Sequence, residues 1–347
     1  MKMRLIRFGV LGLALLPAAP AVADVGAESL FTVKDQRIAQ SSGLAVSEDG
    51  ARFYTSGDAG SGLDEVWGLD RDGRTALTVT LPAGSNEDWE DIAVTRGADG
   101  RSKIFLADTG DAYTVRKKAG QAPRTEFGLT VFDEPAAGAA GTVAATGVAD
   151  YRLAYQDNAS RNSEALLVQP GTSRVFLLTK TERPGEKPDL WAAPALVAGK
   201  VNTLTRLVPG VPVPHATGAA FSPSGDRLVI RDDTTAYLWK VSGGDVAGAL
   251  RAAPIRVSLP DQRQGEAVTF TPDGRSLLVS SEGPAQPVWQ VPLPIEAGGV
   301  PPATALAPAS AAVLDRDRAG DLRILLIACA AAAAAATVAF IRRRRRA

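Results

Sequence analysis

Residues 266–280 read EAVTFTPDGRSLLVS. In an extended chain Glu266, Val268 and Phe270 share one face, and Ala267 and Thr269 the other. Pro272, Asp273 and Gly274 are turn residues. Ser276–Ser280 then runs back as a second strand. The same strand–turn–strand unit recurs with first strands at Ser42–Val46, Glu90–Val94, Glu164–Val168 and Thr217–Phe221. Each is followed by a turn, at 47–50, 97–100, 169–172 and 222–225. One face reads polar, then aliphatic or small, then Val or Phe, while the other is mostly small. Such a strand is buried on both sides and has one polar residue at its start.

The unit extends further. Third strands, often carrying tryptophan, read at 66–69, 127–132, 190–192, 236–240 and 288–291. Fourth strands read at 76–81, 151–155, 203–207 and 255–259. The units start 48, 74, 53 and 49 residues apart, and four strands per roughly 50 residues is the period of a β-propeller. The expected fold is all-β: a propeller of five four-stranded blades, or six if the long spacing hides one, plus one C-terminal transmembrane helix. Loops at 109–126 and 133–150 account for the long spacing in the five-blade reading. The fifth unit lacks a fourth strand. Ser29–Val33, a spare strand at the other end, is expected to complete it and close the ring.

The ends read as targeting segments. Lys2, Arg4 and Arg7 precede a short apolar stretch and Ala21-Val22-Ala23, which makes residues 1–23 a signal peptide. The propeller occupies 24–291, a Pro/Ala-rich stalk 292–321, a transmembrane helix 322–341, and a basic cytoplasmic tail 342–347. Ile324–Ile341 is 18 residues without a charge; as a helix it would reach about 27 Å, enough for a bilayer core. Arg342 to Arg346 hold that end in the cytoplasm. The protein is therefore expected in the cell membrane as a single-pass chain with an extracytoplasmic domain.

The formal net charge of zero conceals an asymmetry. Nine of the 38 basic residues lie in the leader, beside the anchor and in the tail, while all 38 acids lie between 24 and 321, giving that span a net charge of −9. An acidic domain is a poor nucleic-acid binder. The one cysteine, Cys329, falls in the anchor, so the exported domain has no disulfide. The one histidine, His215, excludes a zinc site built on several histidines. A triad of Ser41 or Ser42 with His215 and an acid lacks the Gly-x-Ser-x-Gly elbow.

In a propeller the first strand of each blade lines the channel, and the start of strand one shares a face with the end of strand two. This gathers Ser42, Glu90, Glu164, Thr217 and Glu266 into one ring, and Asp58, Asp108, Lys180, Arg231 and Glu282 into a second, with Asp91 and Asp111 beside them. Converging carboxylates need protons, cationic partners such as Lys180 and Arg231, or a bound cation. Glu90, Glu164 and Glu266 are the candidate metal ligands, and oxygen-only ligation suits calcium or magnesium. No cofactor is certain.

The words Asp88-Trp89-Glu90-Asp91-Ile92-Ala93-Val94, Ala107-Asp108-Thr109-Gly110-Asp111, Ser163-Glu164-Ala165-Leu166, Leu178-Thr179-Lys180 and Gln264-Gly265-Glu266-Ala267 resemble a group of secreted bacterial β-propellers. That group is related to the esterase-like phytase domain and more loosely to the TolB and NHL propellers. Members often read Asp-x-Gly-Asp-Asn where this chain has Ala112 in the last place. The resemblance covers roughly residues 30–291 and implies ester or phosphate-ester hydrolysis. Three functions follow as expectations. The first is a membrane-anchored module that binds or senses a small molecule or envelope protein through the channel-mouth face. The alternatives are a calcium-dependent hydrolase of the phytase-like or lactonase-like kind, and a scaffold for an envelope complex.

Overall fold

The computed structural model describes residues 26–58, 62–97, 99–181, 183 and 185–294. All lie in the first of two units of the chain, Met1–Pro301. The signal peptide, the transmembrane helix, the tail and the stalk beyond residue 294 lie outside the described residues. Among the described residues no helix is long and apolar enough to cross a membrane.

The described chain is almost entirely strand. After β1 (Glu28–Thr32) comes an antiparallel group, β2 (Ser41–Val46), β3 (Phe53–Gly57), β4 (Glu65–Leu69) and β5 (Thr75–Thr80). A second group is β6 (Trp89–Arg96), β7 (Ser102–Asp108), β8 (Phe127–Asp133) and β10 (Ala149–Tyr155), with a short helix α1 (Tyr113–Lys118) and β9 (Gly141–Ala144) in its loops. The third is β11 (Ala165–Gln169), β12 (Arg174–Leu178), β13 (Leu190–Ala192) and β14 (Val201–Val208). The fourth is β15 (Gly218–Phe221), β16 (Arg227–Arg231), β17 (Thr235–Lys240) and β18 (Ile255–Ser258), with α2 (Val246–Ala249) between the last two. The fifth is β19 (Gly265–Phe270), β20 (Ser276–Ser281) and β21 (Pro287–Pro292). Its fourth strand is β1, which pairs antiparallel with β21 through Ser29↔Trp289 and Phe31↔Val288.

The innermost strands touch in the order β2, β6, β11, β15, β19 and back to β2. Five apolar clusters fill the spaces between consecutive groups. The last, with Phe31, Leu44, Phe53, Trp67, Leu278 and Val288, joins the fifth group to the first. The chain is thus a β-propeller. The tight turns behave as their composition requires: Gly50 and Gly274 stand at φ 69° and 67°, where a side chain would be strained. Among the described residues the 74-residue spacing shows no further group of four. Its strand β9 instead adds to β5 in parallel, Leu77↔Gly141 to Thr80↔Ala144. β10 and β14 also pair in parallel at their outer edges, fusing the second and third groups into one eight-stranded sheet.

Candidate functional site

The polar ends of the inner strands open into a cavity of about 710 Å3. Among the described residues its walls carry Asp58, Asp88, Glu90, Asp111, Glu164, Glu266 and Glu282 against only Lys118 and Lys180. α1 stands at its rim with Tyr113 and Val115 exposed. Register shifts in β2, β6 and β19 fall at the strand starts, between Ser41 and Leu44, Trp89 and Asp91, and Gly265 and Val268. Such bulges re-aim side chains beside sites. Gly110 has no room for a side chain, since a Cβ there would meet the Asp88 and Glu90 carboxyl oxygens at 2.1 and 2.3 Å.

The three glutamates have different partners. Lys180 Nζ lies 2.6 Å from Glu164 Oε2, and Asn162 Nδ2 donates to Glu164 Oε1 at 2.8 Å. Gln264 Nε2 donates to Glu266 Oε1 at 2.9 Å. Glu90 receives only the Ser42 hydroxyl, at 3.3 Å. Burial raises the pKa of all three. The neighbouring carboxylates add to this, pushing Glu164 up to about 8 and Glu90 well above the usual range. Burial disfavours the charge on Lys180, but Glu164 and Glu266 outweigh it and hold the ammonium above the usual lysine range. Glu164 thus lies against the Lys180 ammonium, whereas Glu90 makes no ion pair among the described residues, and burial with the surrounding carboxyls favours the protonated form of both.

Asp88 forms a second proton-holding pair. Burial, followed by a hydrogen bond and repulsion from Asp58, pushes it up to about 8. Its Oδ2 accepts from Ala112 N at 2.5 Å, which pulls the pKa the other way. Glu282 is pushed up to about 7 by burial and by Glu266.

Asp91 is not at the mouth but below it, fully buried. Its carboxyl accepts from Ile92 N at 2.8 Å, Leu166 N at 2.8 Å and Ala219 N at 3.5 Å. β6 and β15 are not neighbours in the ring, so this side chain lies across the channel. Burial drives its pKa well up, against the opposing pull of the three N–H donors.

Three further expected mouth residues are placed elsewhere. Arg231 does not pair with the glutamates. It is fully buried and donates to the Asp232, Asp233, Ala267 and Ser280 carbonyls and to Gln262 Oε1, tying the fourth group to the fifth. Asp108 faces Arg124, whose two terminal nitrogens reach its two oxygens at 2.9 and 2.7 Å. The Thr217 hydroxyl donates to the Gly265 and Glu266 carbonyls at 3.0 and 3.1 Å. Asp58, Asp111 and Glu282 do line the cavity. His215 Nε2 lies 3.2 Å from Asp233 Oδ2 and Ser41 Oγ lies 2.7 Å from Thr55 Oγ1, so no Ser–His pair forms. Among the described residues no three His, Cys, Asp or Glu side chains gather in a way that could hold a metal ion. Of the three expected calcium ligands, Glu164 faces Lys180 and Asn162, Glu266 Oε1 accepts from Gln264, and Glu90 accepts from Ser42.

Asp88, Asn162, Gln264 and Gln40 were missed, although each stands two residues before a ring position. The same offset in all five units, with His215 as the fifth, is the signal that finds them. Arg124 comes from a loop outside the repeat and carries no such signal.

No family model matches the chain, and no curated protein matches it. A solved structure of a gluconolactonase from Xanthomonas campestris, important in glucose secondary metabolic pathways, is 17% identical, with 81% of this chain and 99% of that chain covered and a TM-score of 0.41. A likeness of that degree says nothing of its own about what this chain acts on. Fold and cavity together define a β-propeller with an acidic channel mouth.

Proposed function

We propose that this is a five-bladed propeller, anchored by residues 322–341 with its domain outside the cytoplasm, that binds a small organic cation at the acidic channel mouth. The observation that carries the reading is the spread of the carboxyls. They surround a cavity of about 710 Å3 without converging on a point, which suits a molecule with several N–H donors better than a single ion. Ligand cavities run about 300–1,000 Å3. Raised carboxyl pKa values in a cleft are also a signature of functional sites. A cationic ligand would displace the bound protons, so affinity should rise with pH between 6 and 8.

Calorimetry of the full chain with spermidine, and with calcium alone, tests this. Saturable spermidine binding that releases protons and is lost in the Glu90→Gln, Glu266→Gln double variant is the expected result. Calcium binding without spermidine binding, or binding unchanged in the double variant, would sink the reading.

The second reading is hydrolysis of an ester or phosphate ester, in keeping with the resemblance to the esterase-like phytase propellers. Its specific support is the Asp58–Asp88 pair, in which the Asp88 carboxyl keeps a proton near neutral pH beside Asp58. Turnover abolished by Asp88→Asn would favour it over binding alone.

A further inference from the structure

The two ends of the channel differ in chemistry. Each inner strand runs from a polar first position to Val or Phe at the fifth. Those fifth positions, Val46, Val94, Val168, Phe221 and Phe270, meet around a second cavity of about 480 Å3 at the far end. Pro170, Pro223 and Pro272 in the adjoining turns extend its wall. Among the described residues, the only charged ones on it, Glu48 and Arg96, are paired with each other at 2.6 Å. The Ser47 and Ser222 hydroxyls at its edge are turned to Asp49 Oδ1 at 2.6 Å and Asp226 Oδ1 at 2.8 Å. Its charged groups are therefore paired within the protein, and the five fifth-position side chains with the three prolines offer a ligand apolar surface, beside the Thr95 and Thr269 hydroxyls. Val46 and Val94 remain half-exposed there, although the matching positions on the other inner strands are buried.

From this arrangement we infer a second binding site, for an uncharged apolar small molecule with the bulk of a pair of fused rings or a short acyl chain. Five strands enclose it, so the ligand enters end-on along the channel axis. The size lies within the range of about 300–1,000 Å3 of ligand cavities, and apolar cavities of this kind stay dry and take apolar guests. Among the described residues a charged molecule finds no unpaired charge inside. Asp91, bonded across the channel to β11 and β15, bars passage to the acidic mouth. The site is thus independent of the ligand proposed for that mouth.

The test is fluorescence titration of the full chain, in a single maltoside detergent throughout, with N-phenyl-1-naphthylamine, an uncharged apolar probe. Two variants change the cavity from half-exposed positions: Val94→Trp fills it, and Val46→Asp places a charge in it. The expected result is saturable binding to the parent, weakened by about tenfold or more in both variants, and unchanged in the Glu90→Gln, Glu266→Gln protein. If one variant fails to show the parent's cooperative melting, the other decides. No saturable binding above the micelle background, or equal binding by parent and a folded variant, overturns the inference. Loss of probe binding in the double glutamate variant would show that the probe enters the acidic mouth instead, and would overturn it as well.

Discussion

A chain lacking residues 26–33 is expected to lose the cooperative fold of the whole propeller, not merely one edge. β1 is the outermost strand of the fifth group, yet it sits beside the first. Phe31 packs edge-on against Phe53 with ring centroids 4.9 Å apart, and Val33 N donates to Gln286 O at 3.0 Å. Removing a buried phenylalanine costs about 3–5 kcal/mol, and a buried valine adds about 1.5–3 kcal/mol. The deletion also leaves β21 as an unpaired edge and opens the cluster joining the fifth group to the first. A loss of more than about 5 kcal/mol should lower Tm by about 10–20 °C in a domain of this size. Phe31→Ala alone should account for about 3–5 kcal/mol of that. Calorimetric melting of the parent and both variants decides it. A deletion variant that melts with the parent would mean that the ring is not held at this seam.

This closure was legible before any coordinates. The fifth unit had too few strands and the N-terminus one too many, and a ring has no other place to put it. The glutamates at 90, 164 and 266 were legible for a similar reason, since a repeat turns a shared register into a shared place. The partners of charged groups were not. Arg231 ends a second strand like Lys180, but next to it in the fold lies Gly265, where a Cβ would stand 1.8 Å from the guanidinium. That gap draws the side chain into the wall and onto carbonyls instead of the mouth. Asp108 has the register of a mouth residue, but Arg124 arrives from a loop of no fixed period and claims it. Calcium was expected on composition and register. The amides two residues upstream, Asn162 and Gln264, donate to Glu164 and Glu266, a hydrogen-bonding contribution that composition and register did not reveal.

The second large effect is on stability against pH. Asp88 and Glu164 are each raised to about 8 in the folded protein, against ordinary unfolded values near 4. The folded state therefore holds protons that the unfolded state has released. The stability they contribute is fully present below pH ~4 and is lost as pH rises toward 8. Each unit is worth up to about 1.4 kcal/mol per group. With the groups coupled and relaxing together, a net loss of about 2 kcal/mol between pH 5 and pH 8 is expected, or about 4–8 °C in Tm. Asn at position 88 can accept from Ala112 and donate to Asp58, as the protonated acid does. Asp88→Asn should thus leave Tm at pH 5 nearly unchanged and raise it at pH 8. A Tm that climbs from pH 5 to pH 8 in the parent would reverse the sign and remove the proton-holding pair.

The protonation of the channel mouth is most directly measured by carbon-13 NMR titration of the side-chain carboxyls in the full chain, assigned with Asp88→Asn and Glu164→Gln. The arrangement of Asp58, Asp88, Glu164 and Lys180 requires apparent pKa values near 8 for the Asp88 and Glu164 signals, and near 7 for Glu282. Carboxyl signals that all titrate below about 5, as exposed acids do, would contradict it.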